Sequence, residues 1–208
     1  MYWNDYGLLN PTSKDRISEN CLLTTEVYQR LLPDPIKEVD SHICDWIQEC
    51  WTGTEGLFNQ APFMRDNKDD YMSPDQLIAM GAFLKRIGDD TLINDIAKYL
   101  RKHLSNYNNL QDDKIRLMQP SAYLFLQILD GHFEWPFKLV LKYILRLSCK
   151  KPREVTSGKQ KAWLIASAID PKWVTDLEPL VGCWEDVFRV YYKESDHPIR
   201  LLIDRTIQ

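Results

Sequence analysis

The stretch from Trp51 to Asp75 holds the densest set of reactive side chains in this 208-residue chain: Trp51, Glu55, Phe58, Arg65, Asp66, Asp69, Asp70, Tyr71 and Asp75. Two carboxylates about 5–10 Å apart supply the acid and the base of glycoside hydrolysis, and aromatic rings beside them stack on sugar faces. Trp51, Arg65, Asp70 and Tyr71 are therefore candidate binding residues. A plainer reading gives Asp75 to the dipole of the following helix and leaves Asp66, Asp69 and Asp70 to solvate a loop. Glu19 and Glu26 share one helix face and would join Asp75 if that face lined a cleft. Otherwise Glu19 serves the helix dipole and Glu26 a salt bridge.

Other chemistries find little to stand on. His42, His103, His132 and His197 are scattered, with no H-x-x-x-H pair, so no metal site is expected. His197, between Asp196 and Pro198, reads as part of a helix cap. No Ser lies in a G-x-S-x-G context. Eight Gly, none in a phosphate-binding loop, suggest no nucleotide cofactor, and no cofactor of any kind is expected. The five Cys (21, 44, 50, 149 and 183) form an odd set without a C-x-x-C pair, which points to free buried thiols in a reducing compartment.

Charge is more informative in its distribution than in its total. Between Lys138 and Lys161 lie eight basic residues and one acid, a charge of +7 that leaves about −11 on the rest of a chain whose total is −4. Lys138, Lys142, Arg146 and Lys150 recur every fourth residue along one helix face, a candidate surface for nucleic acid or an acidic protein. A solvated helix face is the simpler alternative.

The elements that must position these groups are helices. Ser18 is placed to cap a helix through Leu22, Leu23, Val27 and Leu31, stopped by Pro33. Asp34-Pro35 offers the next start, with Val39, Ile43, Trp46, Ile47 and Cys50 at helical spacing. Ser73-Pro74-Asp75-Gln76 combines a cap, an N1 proline and a capping-box Gln, and Gly88 closes that helix. Its partner starts at Asp89 or Asp90 and runs to Leu104. Further pairs are predicted over 120–129 with 136–147, and over 157–169 with about 179–192, before a closing turn at 199–203. Short connectors should set each helix beside the next, making one all-α domain over residues 1–208, a bundle or a partial α/α toroid. The stretches 51–72 and 105–119 read as loops.

Two strings, Ser18-Glu19-Asn20-Cys21-Leu22-Leu23-Thr24-Thr25-Glu26-Val27-Tyr28 and Arg65-Asp66 through Asp70 to Ser73-Pro74-Asp75-Gln76-Leu77, resemble inner-helix starts of α/α-toroid proteins. These form the six-hairpin glycosidase and polysaccharide-lyase group, and the strings are also similar to small helical proteins of that shape encoded by tailed bacteriophages. The resemblance spans residues 15–105. It implies catalytic acids near inner-helix starts, which Glu19 and Asp75 match. No lyase Tyr/His/Arg set lines up, and the sequence supports eight or nine helices where a complete toroid has more.

The leading expectation is a non-enzymatic interaction or structural protein, plausible as a bacteriophage component, whose partner is another protein: a further copy or a phage particle. A carbohydrate-active hydrolase or lyase is the alternative, and nucleic-acid binding through residues 138–161 the third. No apolar run reaches the roughly 18 residues of a membrane span, and the residues after Met1 lack a secretory signal, so a cytoplasmic or virion location is expected.

Overall fold

Ser73 accepts a hydrogen bond from the Gln76 N–H at 3.4 Å, and the fixed φ of Pro74 suits a first helical turn. Gly88, at φ 80°, ends the same helix in the left-handed conformation that glycine adopts without strain. Asp89 and Asp170 repeat the device, accepting from the N–H groups of Leu92 and Lys172. The computed structural model describes residues 3–10, 21–62, 71–104, 106–107, 118–152 and 156–206. Its ten helices are α1 (Cys21–Leu31), α2 (Lys37–Cys50), α3 (Pro74–Ile87), α4 (Asp90–Lys102), α5 (Pro120–Leu129), α6 (Trp135–Cys149), α7 (Thr156–Ile169), α8 (Pro171–Val181), α9 (Trp184–Tyr191) and α10 (Pro198–Thr206). Among the described residues there is no strand, only isolated bridges at Trp3–Leu9, Trp51–Phe58 and Asn59–Tyr71. The fold is all-α.

The helices surround a central pair. α3 lies against α1, α4, α5 and α7, while α7 lies against α3, α6, α8 and α9. Apolar and small side chains line both on nearly every side, and every residue from Gln76 to Leu84 is buried. Such all-round burial fits helices enclosed by others. Gly81 is required at the α3–α5 contact, because a Cβ there would stand 2.8 Å from Leu126 Cδ2 and 3.1 Å from Phe125 Cε1.

A polar cluster fixes α1, α2, α3 and α7 together. Glu26 is fully buried and meets Arg30 and Arg86, each at 2.7 Å. Arg86 also forks onto Asp40 with two bonds of 2.8 Å. Arg30 donates to the carbonyls of Ala82 (2.6 Å) and Ser167 (3.3 Å), near the C-terminal ends of α3 and α7. Gln29 donates to Asp40 and to the Ile36 carbonyl, and its own carbonyl oxygen accepts the Ile36 N–H. Burial pushes the Glu26 carboxyl up, opposed by Arg86 and Arg30. Burial works in the same direction on Asp40, but hydrogen bonds from Arg86 and Gln29 prevail and hold it below the usual range.

Four expectations are corrected. α1 was expected to lie along α2 but lies along α3, because Glu26 and Arg30 bind into α3. α2 alone among the described helices has no other helix closely alongside. It begins at Lys37 rather than behind Asp34, since Gln29 rather than a local cap engages Ile36. The helix expected over about 179–192 is two helices. α8 starts at the Asp170-Pro171 cap and carries Pro179 near its end, and Gly182 separates it from α9. Residues 51–62 form no open loop: the Tyr107 hydroxyl donates to the Gly56 carbonyl and accepts the Phe58 N–H, and Leu57, Phe58 and Ala61 enter the core.

His197 is buried and stacks on Tyr192 at 4.4 Å, and its Nδ1 accepts the Ile199 N–H at the start of α10. The expected cap is present. Burial pushes this imidazole down to about 4.

Glu26→Gln should cost about 3–5 kcal/mol in urea unfolding, because two partly buried guanidiniums lose their shared carboxylate; a loss below about 1 kcal/mol would show that the cluster does not hold the helices. His197 supplies a second expectation. Its folded value lies below the unfolded one, near 6.5, so the neutral ring's contribution is complete above pH 6.5 and is lost as pH falls to about 4. The loss is on the order of 3 kcal/mol. His197→Asn, which keeps a cap acceptor, should flatten that part of the stability–pH curve, and an unchanged curve would contradict the assignment.

Candidate functional site

The acids singled out by spacing take different places. Asp75, in the first turn of α3, pairs with Lys161 of α7 at 2.9 Å. Glu26 belongs to the buried cluster, the salt-bridge role. Glu19, Arg65, Asp66, Asp69 and Asp70 lie outside the described residues. Tyr71 is buried and bridges to Asn59, whereas Trp51 is half exposed and donates its indole N–H to the Thr54 carbonyl. Among the described residues no group of three or more His, Cys, Asp or Glu is placed to hold a metal ion.

The basic residues separate as well. Lys161 is bound to Asp75 and Lys159 is buried. Lys142 pairs with Asp176 of α8 and lies over the Trp173 ring at 5.4 Å. Lys138, Arg146 and Lys150 remain exposed as one flank of α6.

Beside that flank is a feature that spacing alone shows once the inward face is known. Leu141, Leu145 and Cys149 point α6 into the core. On the opposite side Trp135 is 71% exposed, Leu139 52%, Tyr143 62% and Leu147 48%, each four residues after the last. Val140 widens the row. A helix apolar on both its inner and its outer side is ordinarily covered by a second layer.

The second surface is a cleft of about 390 Å³ beside α2. Cys44, Ile47 and Gln48 of α2 form one wall, and Phe83, Leu84 and Ile87 of α3 with Leu92 of α4 form the other. Trp51, Gly56 and Phe58 make the floor, so the packed segment 51–58 shapes it. Acids stand at the edge: Glu55, Asp89 and Asp95. Lys98, bonded to Glu55 at 3.1 Å, holds that carboxyl below its usual range, helped by a hydrogen bond that the carboxyl accepts from Asp95. Asp95 is pushed up, first by burial and then by the Glu55 charge. The lining is mostly apolar with a few polar groups, as in sites that take an apolar body with a positive fringe. Of its residues, spacing had singled out Trp51, Glu55 and Phe58. Ile87 reads in the sequence as the last residue of an apolar stripe with Leu77, Met80 and Leu84, ending at Gly88, and Asp95 carries no signal of its own on its helix face.

The chain matches no family model, no curated protein and no solved structure.

Thiol accessibility offers a direct check on this geometry. Cys21, Cys50 and Cys149 are buried, as expected for free thiols, whereas Cys44 is exposed on the cleft wall and Cys183 is half-buried. Burial, then the charges of Asp40, Asp45 and Asp89, push the Cys44 thiol up. Iodoacetamide should label Cys44 and Cys183 on native protein and all five cysteines after guanidinium treatment, with Cys44 slower than a small free thiol. Native labelling of Cys50 or Cys149 would contradict this packing.

Proposed function

We propose that the chain is a non-enzymatic interaction protein that docks through α6 onto another protein. The observation that carries this reading is the outward row Trp135–Leu139–Tyr143–Leu147, which runs along the basic flank Lys138–Arg146–Lys150. Large rings and Leu facing water supply the buried anchors of an interface, and a flanking row of one charge sets orientation and speeds encounter. The complementary surface is apolar with acids along one edge. An assembled particle, such as that of the phage proteins in the sequence resemblance, is a natural setting for such a face.

A protein partner is favoured over nucleic acid because much of the basic set is already engaged: Lys142 and Lys161 are ion-paired and Lys159 is buried. It is favoured over a lipid surface because the apolar row is only one helix wide on a helix packed into a folded core. No helix of the described residues is long and apolar enough to cross a membrane.

Three probes test the proposal in parallel by calorimetry: an acidic amphipathic helical peptide with a Leu row, phosphatidylserine vesicles, and a DNA duplex. Binding to the peptide is expected, weakened on the order of a hundredfold in Leu139→Asp/Tyr143→Asp with unchanged circular dichroism. Binding only to DNA or only to vesicles, or peptide binding that the double variant does not weaken, would overturn it.

A further inference from the structure

We infer that the surface α6 docks onto is the α2–α4 cleft of a second copy, so that copies join head to tail. This inference rests on the reading of α6 as a docking face and names its partner. Four observations support it.

The first is charge: the cleft is lined by Asp89, Asp95 and Glu55, the last shared with Lys98, and the α6 flank carries Lys138, Arg146 and Lys150. Opposed rows of this kind favour one register of docking over others. The second is shape: the cleft is apolar within, and the outer face of α6 is an apolar ridge. The ridge from Trp135 to Leu147 is about 18 Å long, and α2 lines the cleft from Cys44 to Gln48, so part of the ridge seats there as a helix in a groove.

The third is vacancy of neighbours. Among the described residues no helix lies closely alongside α2, and Trp51 (50% exposed) and Ile87 (42%) stand open at the cleft. The last weighs against one symmetric alternative, the antiparallel pairing of two ridges. If two α6 ridges paired antiparallel about a two-fold axis, both basic flanks would fall on the same edge and repel. A heterologous contact avoids this, and its copies close into a ring or continue as a chain, depending on the rotation between them.

The experiment reads mass by light scattering on the full chain over a range of concentrations. Wild type is expected to rise above the 24.5 kDa monomer as concentration increases. The ridge variant Leu139→Asp/Tyr143→Asp and the cleft variant Ile87→Lys should each stay monomeric. Mixed one to one, they should form a dimer and stop there, because each dimer retains one intact ridge–cleft contact and two disabled ends. Trp51→Lys serves as a second cleft variant if Ile87→Lys fails to give the wild-type circular dichroism spectrum. The inference is overturned if wild type stays monomeric throughout. It is also overturned if the cleft variants assemble like wild type while the ridge variant does not. In that case α6 seats elsewhere, such as the hollow of about 460 Å³ bounded by Glu178, Trp184 and Phe188, and its role as a docking face survives. Two folded variants that fail to combine would point to a symmetric contact and overturn it equally. Loss of peptide binding by α6, by contrast, would remove the docking face itself.

Discussion

Two partly buried guanidiniums, Arg30 and Arg86, govern how the helices of this protein meet. Each lies in the last turn of its own helix, where a cation complements the helix dipole. Arg30 also reaches carbonyls near the C-terminal ends of α3 and α7. Glu26 and Asp40 balance the charge, so the cluster is neutral. An apolar cluster of the same volume can be as stable as such a network, but it would not specify which helices come together. The distances here do: Glu26 brings Arg86 of α3 to α1, and Asp40 holds the start of α2 to the same point.

The two surfaces follow from that arrangement. Because α3 takes the place beside α1, α2 is left on the outside, held by side chains: Val39, Ile43 and Trp46 inward, Tyr6 edge-on to the Trp46 ring at 5.0 Å, and Asp40 at its start. The space between α2 and α4 is then bridged by the 51–58 segment rather than filled by a helix. On the other side α6 packs against α5, α7 and α8, and its outer row stands exposed. Cleft and ridge are thus two results of how the described helices share a core centred on α3 and α7.

Sequence patterns that depend on a few adjacent residues were legible. Ser73-Pro74, Gly88, Asp89 and the His197 cap all sit where local chemistry put them. Asp170-Pro171 belonged to the same class and was overlooked, which displaced the start of α8. What could not be read was pairing at a distance. Glu26 and Arg86 are sixty positions apart, and nothing in either neighbourhood announces the other. The basic row of α6 was visible at four-residue spacing, but its outward apolar row became meaningful only once Leu141 and Leu145 were known to face inward. Of the proposed acids, Asp75 is engaged by Lys161, a contact that eighty-six positions of separation conceal.

The Glu26–Arg86–Arg30–Asp40 cluster, fully buried at Glu26 and partly buried at the other three, has one more consequence, and it concerns salt. Charges inside a protein are shielded weakly by mobile ions, whereas charges at a surface lose most of their reach once the Debye length falls to a few ångströms, at about 1 M. Helix order in this chain is therefore set by electrostatics that ionic strength hardly touches, while the flank of α6 and the edge of the cleft depend on electrostatics that it dissolves. The medium can thus loosen what the protein holds without loosening the protein.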